Sequence, residues 1–95
     1  MKLRFDLAAE LDLANQLGFL IDNGAASAAR RLEERVSEFL ELTLAIHPRI
    51  WTFVGHRELW EIWVPGTRLV LWYRFESDEL QVVRVWHAAQ DRFAT

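Results

Sequence analysis

Residues 80–93, LQVVRVWHAAQDRF, end an apolar run by setting His87, Gln90, Asp91 and Arg92 within six positions. These are reactive groups, a binding handle, or the polar end of a strand, and the residue types leave all three open. A lone imidazole at a strand end more often hydrogen-bonds a backbone carbonyl or a nearby carboxylate, here Asp91, than it catalyses. Asp91 and Arg92 can form a local ion pair, which if exposed contributes about 0–1 kcal/mol. His47, His56 and His87 are far apart, with no paired acids at ligand intervals, so no metal centre is expected. The chain has no cysteine, which excludes disulfides, thiolate metal sites and a catalytic thiol. No cofactor is implied.

Cations are scarce. Eleven basic residues stand against 14 acidic ones, a net charge of −3, which weighs against a surface that grips a polyanion throughout. Charge is nonetheless uneven: residues 76–79, ESDE, lie among Arg68, Arg74, Arg84 and Arg92, so a local basic face remains open.

The elements that position these groups follow from pattern. Ninety-five residues, 52% hydrophobic and 26% charged, predict one globular domain spanning residues 1–95. Asp6, Glu10 and Asp12 interrupt any leader-like run, and no stretch approaches the roughly 20 apolar residues of a membrane span, so a soluble, cytoplasmic protein is expected. Leu3, Phe5 and Leu7 alternate, predicting a strand over 2–7. Leu11, Ala14, Leu17 and Ile21, widened by Leu13 and Leu20, predict a helix over 8–22 with its core face along that stripe, stopped by Asn23-Gly24. Ala29, Leu32, Val36, Phe39, Leu40 and Thr43 predict a second helix within 25–46, ended by Pro48 and paired with the first as an antiparallel hairpin. From residue 57 the period becomes two, predicting strands over 57–64, 68–75 and 80–87 that form an antiparallel meander. The fold class is α+β.

A two-residue Pro65-Gly66 turn would set Ile62 against Leu69 and Trp60 against Leu71 under the helices, leaving Glu61 against Val70 and Leu59 against Trp72 outside. An odd loop in the last hairpin places Val83 and Val85 inside and Arg84 and Trp86 outside. An even loop would bury the Arg84 guanidinium, at a cost of several kcal/mol, roughly. The outer face then collects Leu59, Val70, Trp72, Val82 and Trp86, ringed by Arg57, Arg68, Arg74 and Arg84. So apolar a face calls for cover, either by a partner or by residues 45–56 or the C-terminal tail.

The helical stretch 9–36, the pair of strands RELWEIWVPGTRLVLWYRF and the ending VVRVWHAAQDR together resemble the RelE/ParE superfamily, the toxins of bacterial type II toxin–antitoxin modules, over nearly the whole chain. The resemblance implies a strand, a helical hairpin and a three-stranded meander, neutralised by an antitoxin whose helix and extended tail wrap the toxin. In the RelE-like branch, a ribosome-dependent mRNA endoribonuclease, it implies catalytic roles for Arg68, His87 and Arg84: cations for the phosphate and an imidazole for proton transfer. The lysines that branch carries on the preceding strand have no counterpart in LWEIW, no tyrosine follows Tyr73, and Lys2 is the only lysine. The ParE-like branch, a binding inhibitor of DNA gyrase that arrests growth without a nucleolytic constellation of its own, therefore fits better. On that reading Leu59, Val70, Trp72, Arg74, Val82, Trp86 and Arg92 meet the antitoxin or another partner. A non-toxic peptide-binding module of the same fold is the third alternative.

Overall fold

The computed structural model describes residues 2–47, 49, 52–76 and 78–89, without the side chains of Thr52 and His56; Pro48, Gln90, Asp91 and Arg92 lie outside them. Strand β1 (Lys2–Phe5) leads into helix α1 (Leu7–Asp22), helix α2 (Ala26–Phe39) and a π-helical continuation at Leu40–Leu44. Strands β2 (Thr52–Val54), β3 (Leu59–Trp63), β4 (Leu69–Glu76) and β5 (Glu79–His87) follow, with a 3-10 turn at Gly55–Arg57 between β2 and β3. They form a five-stranded sheet in the order β1-β5-β4-β3-β2. The expected meander is present, extended by β1 parallel to β5 and by β2 antiparallel to β3.

Gly24, at φ +77°, ends α1. The Ala25 N–H bonds the Leu20 carbonyl at 2.8 Å and the Gly24 N–H that of Ile21 at 3.0 Å, the paired bonds of a Schellman cap. In α2 the core positions are Ala29, Val36 and Phe39, joined by Leu40 and Leu44 where the widened turn brings both inward. In α1 the inward residues are Ala9 and Leu13, whereas Leu11 and Ile21 are each 55% exposed. The expected core stripe of this helix is thus corrected in part: Leu11 and Ile21 at its centre point outward, while Leu13 at its border packs on the core beside Ala9.

The β3–β4 pairing is displaced by two residues from expectation, with Trp60 opposite Tyr73 and Ile62 opposite Leu71. Two-residue hairpins need positive φ at their first central position, which proline forbids. Pro65 and Gly66 (φ +75°) instead occupy the middle of a turn closed by the Thr67 N–H on the Val64 carbonyl at 3.1 Å, as in a type II turn, and Thr67 and Arg68 lengthen the loop. A Cβ at Gly66 would also collide with the Arg35 guanidinium, which donates to the Pro65 carbonyl at 3.3 Å. Because the displacement is even, each residue keeps its expected face.

In the β4–β5 hairpin Glu76 faces Glu79, so the loop is even, contrary to expectation. A β-bulge opposite Trp72 and Tyr73 takes up one extra residue, Val83, and restores Arg84 to the outer face, opposite Trp72. The consequence for two neighbours is a correction: Val82 is fully buried in the helix-side core, and Val83 packs outside. That core also holds Leu71, Leu80, Val85 and Tyr73, whose phenol burial pushes far above its ordinary ionisation range.

Candidate functional site on the outer face and edge of the sheet

Leu59, Val70, Trp72 and Trp86 converge on the outer face, with Val83 and Ala88 against them. The Trp72 and Trp86 rings meet edge to face, with centroids 5.2 Å apart. The face is not open, however: Trp72 is 3% and Trp86 5% exposed. Arg57, delivered by the 3-10 turn, lies 5.7 Å from the Trp72 ring centre, and Arg84 lies 4.4 Å from that of Trp86. Glu61, the cross-strand neighbour of Trp72, accepts its indole N–H at 2.7 Å. Of the covers the sequence left open, a partner, residues 45–56 or the C-terminal tail, none is what the described residues show: two cations and a carboxylate of the same chain close over the indoles. Trp86 Nε1 and Arg57 Nε are buried with no hydrogen-bond partner among the described residues. The exposed aromatics of the sheet are Trp63 and Phe53, each 53% exposed.

At the edge of β5, β1 runs out after Val82, and α1 takes its place. Asp12 accepts Arg84 Nε at 2.7 Å and Nη2 at 3.0 Å, and its Oδ2 also accepts the Val85 N–H at 3.0 Å. One carboxylate thus caps a strand N–H that β1 is too short to satisfy, and fixes a guanidinium. The bond to Asp12 raises the Arg84 pKa, outweighing the opposing effect of burial, so this arginine stays charged. Nearby, Gln81 donates to Asp6 at 2.6 Å.

The three residues considered for catalysis are divided between two places. Arg68 and His87 line one cavity with Gln16, Phe19, Leu20 and Leu32, at the helix side of the β4–β5 end. Arg84 lies on the outer face and is bound to Asp12. The His87 imidazole accepts the Ala89 N–H at Nδ1, 3.1 Å away, closing the turn after β5. The strand-end histidine is therefore bonded to backbone, here as acceptor of an N–H. Arg74 is exposed beside Gln81 and lines a cavity with Arg4, Phe75, Glu76 and Glu79. Arg92 lies outside the described residues. No group of histidine and acidic residues able to hold a metal ion occurs among the described residues, and no described helix is long and apolar enough to cross a membrane.

Sequence reasoning missed Asp12 and Glu61, the acids that hold Arg84 and Trp72. Glu61 was recoverable, since the displaced register that Pro65 imposes is what puts it opposite Trp72. Asp12 was not, because its partners are more than 70 residues away.

Comparison with known proteins adds to this geometry. The family described as "ParE toxin of type II toxin-antitoxin system, parDE" matches residues 3–92. Comparison with curated protein sequences gives no match. Among solved structures, the chain is similar in fold to one from the chromosomal ParDE toxin–antitoxin system of P. aeruginosa, with a TM-score of 0.67 and 14% identity, over 92% of this chain and 95% of that one.

Proposed function

From the premise that the chain belongs to the ParE toxin family of type II toxin–antitoxin systems, we propose that it arrests growth in the cytoplasm by binding DNA gyrase, and that a cognate antitoxin silences it. The observation that carries this reading is the commitment of its polar groups. Arg84 is held by Asp12, and the His87 Nδ1 by a backbone N–H. A ribonuclease needs cations free to meet a phosphate and an acid–base pair aimed at one ribose. A binding inhibitor needs only a rigid surface, and these contacts make one. Purified gyrase should lose supercoiling activity and accumulate cleaved-DNA complexes as the protein is added. Undiminished supercoiling at excess toxin would refute the proposal.

One observation favours the ribonuclease alternative: Arg68 and His87 share a cavity. That reading requires codon-linked mRNA cuts on translating ribosomes, lost on Arg68→Ala and His87→Ala. On the gyrase reading no such cuts occur.

A further inference from the structure

Two cavities on the helix side of the molecule run into one another. The cavity that holds Arg68 and His87, of about 220 Å³, shares Leu20, Leu32 and Thr67 with a second of about 290 Å³, which extends along α2 to Arg31, Arg35 and the Gly66 turn. Together they make one groove between the helical hairpin and the β3–β4 loop, lined on its apolar side by Leu20, Leu32 and Leu69.

The charge of this groove is opposite to that of the chain. Three arginines and a histidine line it and no described acid does, although the whole protein carries a net charge of −3. Acids of α2 line other cavities, Glu33 and Glu34 with Arg30, and Glu38 with Phe39 and Leu42. None of Arg31, Arg35 and Arg68 is ion-paired among the described residues, in contrast to Arg4 and Arg84. Arg35 donates to the Pro65 carbonyl at 3.3 Å, a bond that orients the guanidinium and leaves its charge uncompensated. Arg31 and Arg35 are one helical turn apart, so they rise from the same side of α2, about 5–6 Å apart at Cβ. Like charges gathered in this way raise the local potential and draw in an anion.

The residue types indicate which anion. Guanidinium forks match phosphate oxygens two at a time. Phe19, 66% exposed, adds a ring at the α1 side of the groove, and the bases of a single strand stack on such faces. An acidic peptide is the poorer match, because the lip of the groove is not an open strand edge: the Leu69 N–H is bonded to Thr67 Oγ1 at 3.0 Å, and the Arg68 carbonyl to the Ala88 N–H at 2.7 Å. A duplex keeps its base faces stacked inside and cannot use the ring.

We propose that this groove binds a single strand of DNA, with Arg31, Arg35 and Arg68 on its phosphates and Phe19 against a base. The choice of DNA over RNA rests on the function proposed above, in which gyrase is held with its DNA cleaved; the groove itself rests on its charge, its apolar wall and its ring. It binds without cutting, since the His87 Nδ1 is engaged by the Ala89 N–H and no described carboxylate lines the groove to complete an acid–base pair.

The test titrates the purified full chain into a fluorescein-labelled oligodeoxythymidylate and follows anisotropy at several salt concentrations. Three phosphate contacts predict that log K falls against log salt with a slope of about −2, and each of Arg31→Gln, Arg35→Gln and Arg68→Gln should make that slope shallower by about 0.7. Arg30→Gln, the same change of charge outside the groove, should leave it unaltered. Phe19→Ala should weaken binding about fivefold or more at unchanged slope, since it removes a stacking face and no charge. Thermal unfolding checks that each variant is folded. Absence of binding at low salt, or a slope that Arg30→Gln lowers as much as the groove variants do, overturns the proposal and leaves the gyrase reading standing, which supercoiling judges separately. A strand bound with the expected slopes by a protein that spares gyrase keeps the groove and refutes the gyrase reading. Binding of oligouridylate about tenfold tighter than of the deoxy strand refutes the assignment to DNA and favours the ribonuclease alternative. Equal binding of a duplex refutes the role given to Phe19 and the single strand with it.

Discussion

Replacing Asp12 by alanine probes the contact that joins the helical layer to the free edge of β5. The substitution removes two guanidinium bonds and leaves the Val85 N–H without its acceptor. A sheltered hydrogen bond to a charged group contributes about 1.5–3 kcal/mol, but the Arg84 side chain is 36% and that of Asp12 18% exposed. Solvent screening therefore brings the ion pair down to about 1 kcal/mol. The orphaned edge N–H adds about 1 kcal/mol. Asp12→Ala should thus cost about 2 kcal/mol and lower the melting temperature by roughly 8–16 °C for a chain of this size. Asp12→Asn keeps an acceptor for Val85 and should cost about half as much. A double-mutant cycle with Arg84→Ala isolates the pair, with an expected coupling of about 1 kcal/mol that shrinks in high salt. Urea unfolding followed by tryptophan fluorescence reads all four proteins, since Trp86 lies under Arg84. A loss below about 0.5 kcal/mol for Asp12→Ala, at unchanged denaturant slope, would show that the carboxylate is merely solvated at the edge and that the reasoning is wrong.

Gly66→Ala combines a positive φ with a collision against Arg35, and should cost about 1–3 kcal/mol in the same unfolding assay; a neutral result would show that the turn rearranges freely. Val82→Ala should cost clearly more than Val83→Ala, about 2 kcal/mol against less than 1, because the bulge buries Val82 fully and leaves Val83 part-exposed; the reverse order would place the bulge elsewhere. Trp72→Phe should cost about 1–2 kcal/mol by removing the bond to Glu61, and Glu61→Gln, which preserves an acceptor, should cost less; equal losses would deny that bond a role.

Local chemistry made most elements legible. Gly24 ended α1 where an αL cap was expected, and alternation placed β3, β4 and β5 within a residue or two at most ends. What escaped depended on geometry that pattern does not carry. β2 is only three residues long, too short for alternation to register, and it pairs at the far edge of the sheet. The two hairpin registers failed for different reasons: the first because proline in a two-residue turn was not excluded, the second because a bulge and an even loop compensate each other. Parity arguments see only their sum. That is why Arg84 was placed correctly while Val82 and Val83 were exchanged. The outer cluster was named correctly in Leu59, Val70, Trp72 and Trp86, yet its cover was not foreseen, since cation–π stacking by Arg57 and Arg84 requires knowing where two guanidinium groups come to rest.

The misassigned face of α1 has a deeper cause. The helix is apolar on two opposite sides, with Ala9, Leu13 and Leu20 on one and Leu7, Leu11 and Ile21 on the other, so hydrophobic burial alone stabilises either orientation. Something directional must choose. Asp12 sits on the flank between these faces, and its three bonds to Arg84 and Val85 form only when Ala9 and Leu13 point at the sheet. Rotating the helix to bury the other stripe would carry the carboxylate away from β5, leaving the guanidinium and the edge N–H unpaired together. A polar contact, directional where burial is not, thus decides which apolar surface the protein keeps and which it presents.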